Sequence, residues 1–158
     1  MPSGSTGTIP SDCLLDTNVL VYRFDPRNPE KQAIATELIR VELKQGHAKI
    51  CHQSLVEFVA ATTRPLRENP AISLLTPEEA AWETEELVRQ LEVLCPCEGQ
   101  VRLALRGWRT YGLSWFDAHL WSYAEYFDTR KLFSEDFQHG RTYGMVQVIN
   151  PFIQEPVK

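Results

Sequence analysis

Short apolar runs alternate with longer stretches of helical spacing along this chain, and that alternation constrains its fold more than any other feature. Cys13-Leu14-Leu15, Ala48-Lys49-Ile50-Cys51, Glu92-Val93-Leu94, Lys131-Leu132-Phe133 and Met145-Val146-Gln147-Val148-Ile149 read as strands. Between them, apolar residues recur every three or four positions. Ala33, Ile34, Leu38, Ile39, Val41 and Leu43 place a helix over residues 29–45, stopped by Gly46. A helix from about Gln53 to Thr63 is ended by Pro65. Thr76-Pro77-Glu78-Glu79 supplies an N-cap, a proline at the first helical position and a capping-box glutamate, which predicts a helix from Pro77 to about Gln90. Two more are predicted, from Gly99 to Thr110 and from the Ser114 cap to about Phe127. Strands alternating with helices imply an α/β fold around a central, mainly parallel sheet of about five short strands.

A chain of 158 residues holds one well-buried core and is too short for two ordinary domains. Its longest apolar runs fall far short of the roughly 20 residues that a membrane helix needs, so no membrane span is expected. Residues 1–11 are rich in Ser, Gly, Thr and Pro, with neither basic residues nor an apolar run, and are expected to be a flexible tail rather than a signal peptide. The folded domain is placed at 12–152, followed by a C-terminal tail at 153–158, and a cytoplasmic location is expected. In that reducing setting the cysteines stay free. Cys13 and Cys51 fall in core strands as small hydrophobes, and Cys95-Pro96-Cys97 lacks the two-residue gap of a zinc pattern. A net charge of -5 argues against a broad surface for duplex nucleic acid. Local basic faces stay open at Arg64 and Arg67, at Arg102, Arg106 and Arg109, and at Arg130, Lys131 and Arg141.

In a parallel sheet the carboxyl ends of the strands face the ligand crevice. Asp16 directly follows the first strand, and Asp136 follows Leu132-Phe133-Ser134-Glu135. Glu57 interrupts the apolar run Leu55-Val56-Glu57-Phe58-Val59, where a charge is costly unless its helix face meets water, a partner or a metal. Asp117 stands at the start of an otherwise apolar helix. Each acid also has a structural explanation. Asp16 fits a helix N-cap, and Asp117, three residues after Ser114, fits a capping box. Glu57 has Arg64 and Arg67 as possible ion-pair partners, and spacing alone does not separate Asp136 from the adjacent Glu135. Gathered at one sheet edge, the four would repel, and such a cage suits hard cations: Mg²⁺ or Mn²⁺, one ion or two, hydrolysing phosphodiesters.

Leu14-Leu15-Asp16-Thr17-Asn18-Val19-Leu20 resembles the opening motif of the PIN-domain family, and Ser134-Glu135-Asp136-Phe137-Gln138-His139-Gly140 resembles the fourth motif of its VapC-type toxins. Leu55-Val56-Glu57-Phe58 and Leu113-Ser114-Trp115-Phe116-Asp117-Ala118 fall where that family's second and third acids belong, and Val148-Ile149-Asn150-Pro151-Phe152 resembles its closing segment. The resemblance implies a three-layer α/β/α sandwich and a metal-dependent endoribonuclease acting as the toxin of a toxin–antitoxin module. Its RNA would be of the tRNA or rRNA class, and its partners a cognate antitoxin and a second copy in a homodimer. By the same resemblance Asp16 and Asp117 are the main metal ligands, Glu57 and Asp136 complete the acidic site, and Asn18 and Ser134 are supporting polar residues. Asp136 is thereby preferred over Glu135. His119 departs from the family pattern and reads best as a packed, hydrogen-bonded core histidine. Trp108, Trp115 and Trp121 suit core or dimer packing better than base stacking. Two alternatives stand beside this reading: a catalytically silent PIN-like module that binds RNA or protein, and a haloacid-dehalogenase-like phosphatase using Asp16 as nucleophile, which Asn18 in place of a second acid disfavours.

Overall fold

The computed structural model describes residues 12–154. The tail expected at 1–11 and residues 155–158 of the one expected at the C-terminus lie outside the described residues. In chain order the elements are β1 (Cys13–Leu15), α1 (Thr17–Tyr22), α2 (Pro29–Gln45), β2 (Ala48–Cys51), α3 (His52–Thr63), α4 (Pro77–Gln90), β3 (Glu92–Leu94), α5 (Glu98–Tyr111), α6 (Trp115–Tyr126), β4 (Lys131–Phe133), β5 (Thr142–Tyr143) and β6 (Val146–Ile149).

One sheet of six strands runs in the order β3-β2-β1-β4-β6-β5, with every pairing parallel except that of β5 with β6. The sixth strand is the correction to the sequence reading. β5 is two residues long and pairs Tyr143 with Val146 across a Gly144-Met145 turn. Gly144 has φ 59°, which fits the first central position of a tight hairpin, where a glycine meets no Cβ penalty.

Period-two alternation sends successive residues of β1 to opposite layers. Cys13 and Leu15 join Val19, Ile39, Ile50 and Phe58 beneath α1 to α4. Leu14 joins Cys51, Leu120, Trp121, Leu132 and Val148 beneath α5 and α6. All three β1 side chains are fully buried, so the sheet is covered on both faces, as an α/β/α sandwich requires.

Helix ends follow the sequence signals. Thr76 Oγ1 accepts from the Glu79 N–H at 3.2 Å while Glu79 accepts from the Thr76 N–H at 2.8 Å, the complete capping box. In the second layer α5 lies tightly on α6. A Cβ at Gly107 would collide with the Trp121 ring, so only glycine allows this approach. The Trp121 indole in turn donates to the Tyr143 carbonyl at 2.9 Å, which fastens the short β5 to the helical layer.

Candidate functional site

From β1 the chain moves to β2 on one side of the sheet, and it later returns to the other side of β1 at β4. The loops leaving β1 and β4 therefore part at their carboxyl ends and open a crevice at the switch point. Asp16 is the first residue after β1, and Ser134 and Asp136 follow β4.

The two oxygens of Asp16, a residue only 6% exposed, have separate partners. Oδ1 accepts from the Thr17 N–H at 2.6 Å and starts α1. Oδ2 accepts from the Ser134 hydroxyl at 2.5 Å and the Asn18 amide at 3.1 Å. The N-cap role and a place in the crevice thus coexist on one side chain. Asn18 Nδ2 also donates to Asp136 Oδ2 at 3.1 Å, and Ser134 Oγ accepts from the Asp136 N–H at 3.1 Å. Two polar side chains, one from α1 and one from the loop after β4, set the spacing between two acids.

On α3, the residues Ser54, Phe58 and Thr62 turn into the core, which leaves Glu57 on the flank beside α1. Its carboxylate accepts from Thr17 Oγ1 at 3.0 Å and from Gln53 Nε2 at 2.9 Å. Gln53 reaches on to the Phe116 carbonyl at 3.4 Å, tying α3 to the start of α6. Glu57 makes no ion pair with Arg64 or Arg67 among the described residues. Asp117 lies in the first turn of α6, where Ser114 Oγ accepts from its N–H at 3.1 Å. Only that half of a capping box forms. The half-buried carboxylate lines the crevice with Asp16, Gln53, Glu57, Phe116 and Asp136, around a cavity of about 420 Å³.

Burial, with added repulsion from Asp136 and Glu57, pushes the Asp16 carboxyl up to about 7 despite its hydrogen bonds to Ser134 and Thr17. Asp117 is raised in the same direction, chiefly by burial and then by Asp136 and Glu57. Asn18 Oδ1 is buried without a hydrogen-bond partner among the described residues. Oxygen donors that repel one another, beside an orphaned buried acceptor, suit a hard divalent cation. Among the described residues no three acidic, imidazole or thiol groups are drawn together closely enough to enclose an ion as they stand. That spread suits a hydrated ion, since Mg²⁺ keeps several waters and contacts one or two carboxylates directly.

Glu135 has a different setting from its neighbour. It accepts from Tyr22 Oη at 2.7 Å and pairs with Lys31 Nζ at 2.6 Å, which anchors the loop after β4 to α1 and α2. Its charge is matched by a cation, and among the described residues that of Asp136 is not. His119 packs edge-on against Trp115, with ring centroids 4.3 Å apart, and approaches the buried Gln100 at 3.4 Å. Trp121 is a core residue, whereas Trp108 is half exposed and stacks edge-on with Trp115. Cys13 and Cys51 are buried, and Cys95 and Cys97 are exposed. Sequence reasoning missed Thr17, Gln53 and Arg27 beside the crevice. The position of Gln53 one helical turn before Glu57 was a readable signal for its hydrogen bond.

A model of the PIN domain matches residues 13–144, a span that includes all four acids. This chain belongs to the PIN-domain family. That membership displaces the phosphatase alternative. No curated protein sequence matches the chain. Solved structures share its fold at low identity. A toxin–antitoxin complex from Klebsiella pneumoniae superposes with TM-score 0.62 at 15% identity, covering 89% of this chain and 98% of that one. DNA-bound VapBC from Salmonella typhimurium gives 0.61 at 14%, covering 88% and 97%. Mycobacterium tuberculosis VapC20, described as a sarcin-ricin loop cleaving toxin, gives 0.56 at 12%, covering 79% and 90%. No described helix of this PIN protein is long and apolar enough to cross a membrane.

Proposed function

We propose that this PIN protein is a Mg²⁺- or Mn²⁺-dependent endoribonuclease and the toxin of a VapBC-type pair, acting in the cytoplasm. One observation carries the nuclease reading. Asp16, Glu57, Asp117 and Asp136 come from four separate segments and line one cavity at the switch point, with their charges unmatched by nearby cations. Structural roles alone do not explain why four such groups converge.

In this reading Asp16 and Asp117 would hold the ion, and Glu57 and Asp136 would complete its acidic surroundings directly or through water. The chemistry that such an ion supplies is Lewis acidity toward a phosphate and a lowered pKa for an attacking water. Ser134 and Asn18 keep Asp16 and Asp136 apart at fixed orientation. Thr17 and Gln53 hold Glu57 by both its oxygens, so the carboxylate does not swing toward solvent when substrate enters. The open crevice favours RNA whose bases are unpaired, of the tRNA or rRNA class.

Purified protein incubated with structured RNAs should cleave only with Mg²⁺ or Mn²⁺, and EDTA should stop it. Cutting that persists in EDTA and in both Asp16→Asn and Asp117→Asn would overturn the mechanism. RNA retained but never cut under saturating Mn²⁺ would instead favour the catalytically silent module.

The toxin assignment is supported by the shared fold with VapBC and related complexes. A cognate antitoxin encoded beside this chain should co-purify with it and suppress cleavage. A homodimer is supported by Val101, Leu105 and Trp108, large apolar residues left exposed on α5. Light scattering should give twice the chain mass, and Leu105→Glu should reduce it.

A further inference from the structure

Past the acidic crevice, two further cavities continue along α3. The first, of about 360 Å³, is shared by Asp16, Glu57, Asp136, Val21, Arg27 and Ala61. The second, of about 340 Å³, begins at the same Val21, Arg27 and Ala61 and ends among Arg64, Arg67 and Glu68. Glu57, Ala61 and Arg64 stand at helical spacings of four and seven, so one flank of α3 runs from the acids to the arginines over about 10 Å.

The three arginines differ in their commitments. Arg27 is occupied: Nε and Nη2 grip Asp25, which is 3% exposed, at 2.8 and 2.9 Å, and Nη1 pairs with Glu68 at 3.0 Å. It works as a brace between the loop after α1 and the loop after α3. Arg64 and Arg67 are exposed and have no hydrogen-bond or ion-pair partner among the described residues. Glu68, the acid in this cavity, is taken by Arg27. The loop that carries Arg67 is itself held, with Leu66 N–H donating to the Ile72 carbonyl at 2.9 Å and Leu75 N–H to the Thr62 carbonyl at 2.9 Å. Two uncommitted guanidinium groups are thus kept at one end of a trough whose other end is acidic, in a chain of net charge -5.

We infer that Arg64 and Arg67 form a phosphate-binding subsite for the RNA backbone flanking the scissile bond. This rests on the ribonuclease reading above. A cluster of carboxylates repels a polyanion, and its cation offsets that repulsion only at the bond being cut. Neighbouring phosphates therefore need a separate cationic hold, and arginine's planar fork matches phosphate oxygens two at a time. The continuity of the trough through Val21, Arg27 and Ala61 favours RNA over an acidic peptide, because one strand can lie in both ends at once. Arg64 and Arg67 are binding residues in this scheme and do not touch the reacting atoms.

The test is binding of a fluorescein-labelled, mixed-sequence single-stranded RNA of about a dozen nucleotides to the full chain in EDTA, by anisotropy across a salt series. Each phosphate contact on a single strand contributes about 0.7 to the slope of log K against log salt. Arg64→Gln with Arg67→Gln should weaken binding about tenfold or more at low salt and flatten the slope by about 1.4. The Arg64→Lys, Arg67→Lys pair should recover the slope and only part of the affinity, since charge returns without the fork. Thermal melting should match wild type, because neither arginine has a partner to lose. Equal affinity and slope in wild type and the glutamine pair would overturn the subsite while leaving the nuclease reading intact. Wild-type chain that binds no RNA and cleaves none would overturn both. Polyglutamate binding lost in the glutamine pair, with RNA binding unchanged, would show a peptide site and overturn the assignment to RNA.

Discussion

Two buried polar systems, one between α5 and α6 and one at the carboxyl ends of β1 and β4, are built to opposite rules. Between α5 and α6, Gln100 is fully buried and donates to Ser122 Oγ at 2.7 Å, while Ser122 donates to the His119 carbonyl at 2.6 Å. Every side chain there is neutral or, in the case of His119, pushed toward neutrality by burial. At the ends of β1 and β4, Asp16 is almost as deeply buried, but its carboxyl is raised by burial and by two other acids. The first system closes a helix interface with uncharged groups, although Gln100 Oε1 has no partner among the described residues. The second keeps a cost that folding alone would remove, and it does so beside an open cavity. Buried polarity by itself therefore says little about function; unmatched charge beside space says more.

The sharpest way to break this contrast is to remove charge from the acidic system. Asp117→Asn should lower RNA cleavage on the order of a thousandfold, measured as single-turnover rate with Mn²⁺, while leaving the fold cooperative. Ser134→Ala removes the hydroxyl between Asp16 and Asp136 and should cost about 10- to 100-fold in the same assay or in apparent metal affinity. Activity within twofold of wild type would mean that the hydroxyl only fills space.

The matching changes between α5 and α6 should move stability instead. Gly107→Ala drives a methyl into Trp121 and should destabilise by about 1–3 kcal/mol in urea denaturation. Gln100→Leu should cost about 1 kcal/mol, with cleavage unchanged. A large loss of activity from Gln100→Leu would show that the helix network reaches the site.

pH separates the two systems without substitution. Because the Asp16 carboxyl rises from an ordinary 3.8 to about 7 on folding, the native state binds more protons than the unfolded chain across that window. Its contribution is favourable below the lower value and is lost as pH rises through the upper one. Asp117 acts in the same sense. In EDTA, thermal stability should fall from about pH 4 to about pH 7, and Asp16→Asn should flatten that decline and melt higher than wild type at pH 8.

Local chemistry was readable in the sequence wherever it was self-contained. The Thr76–Glu79 box, the Gly46 stop with φ 73° and the three-residue strands β3 and β4 fall where spacing and caps place them. β5 was not readable from periodicity, because two residues carry no period; its existence depends on a glycine turn and on Trp121 above it. In the site, the acids were legible as charges in the wrong places. Between Glu135 and Asp136 only the family resemblance chose; the contacts that set them apart involve Lys31 and Tyr22, more than a hundred residues away in sequence. Arg27 was overlooked for a similar reason: its brace joins two loops that only the folded chain brings together.

The divided labour of the Asp16 carboxylate has a genetic consequence. Asparagine keeps one oxygen, enough to cap α1 through Thr17, and the Asp and Asn codons differ by a single base. Under the nuclease reading proposed above, a lineage freed from the need for cleavage would lose it in one mutational step without losing the fold. In that reading an inert, well-folded copy lies a single base away from an active one.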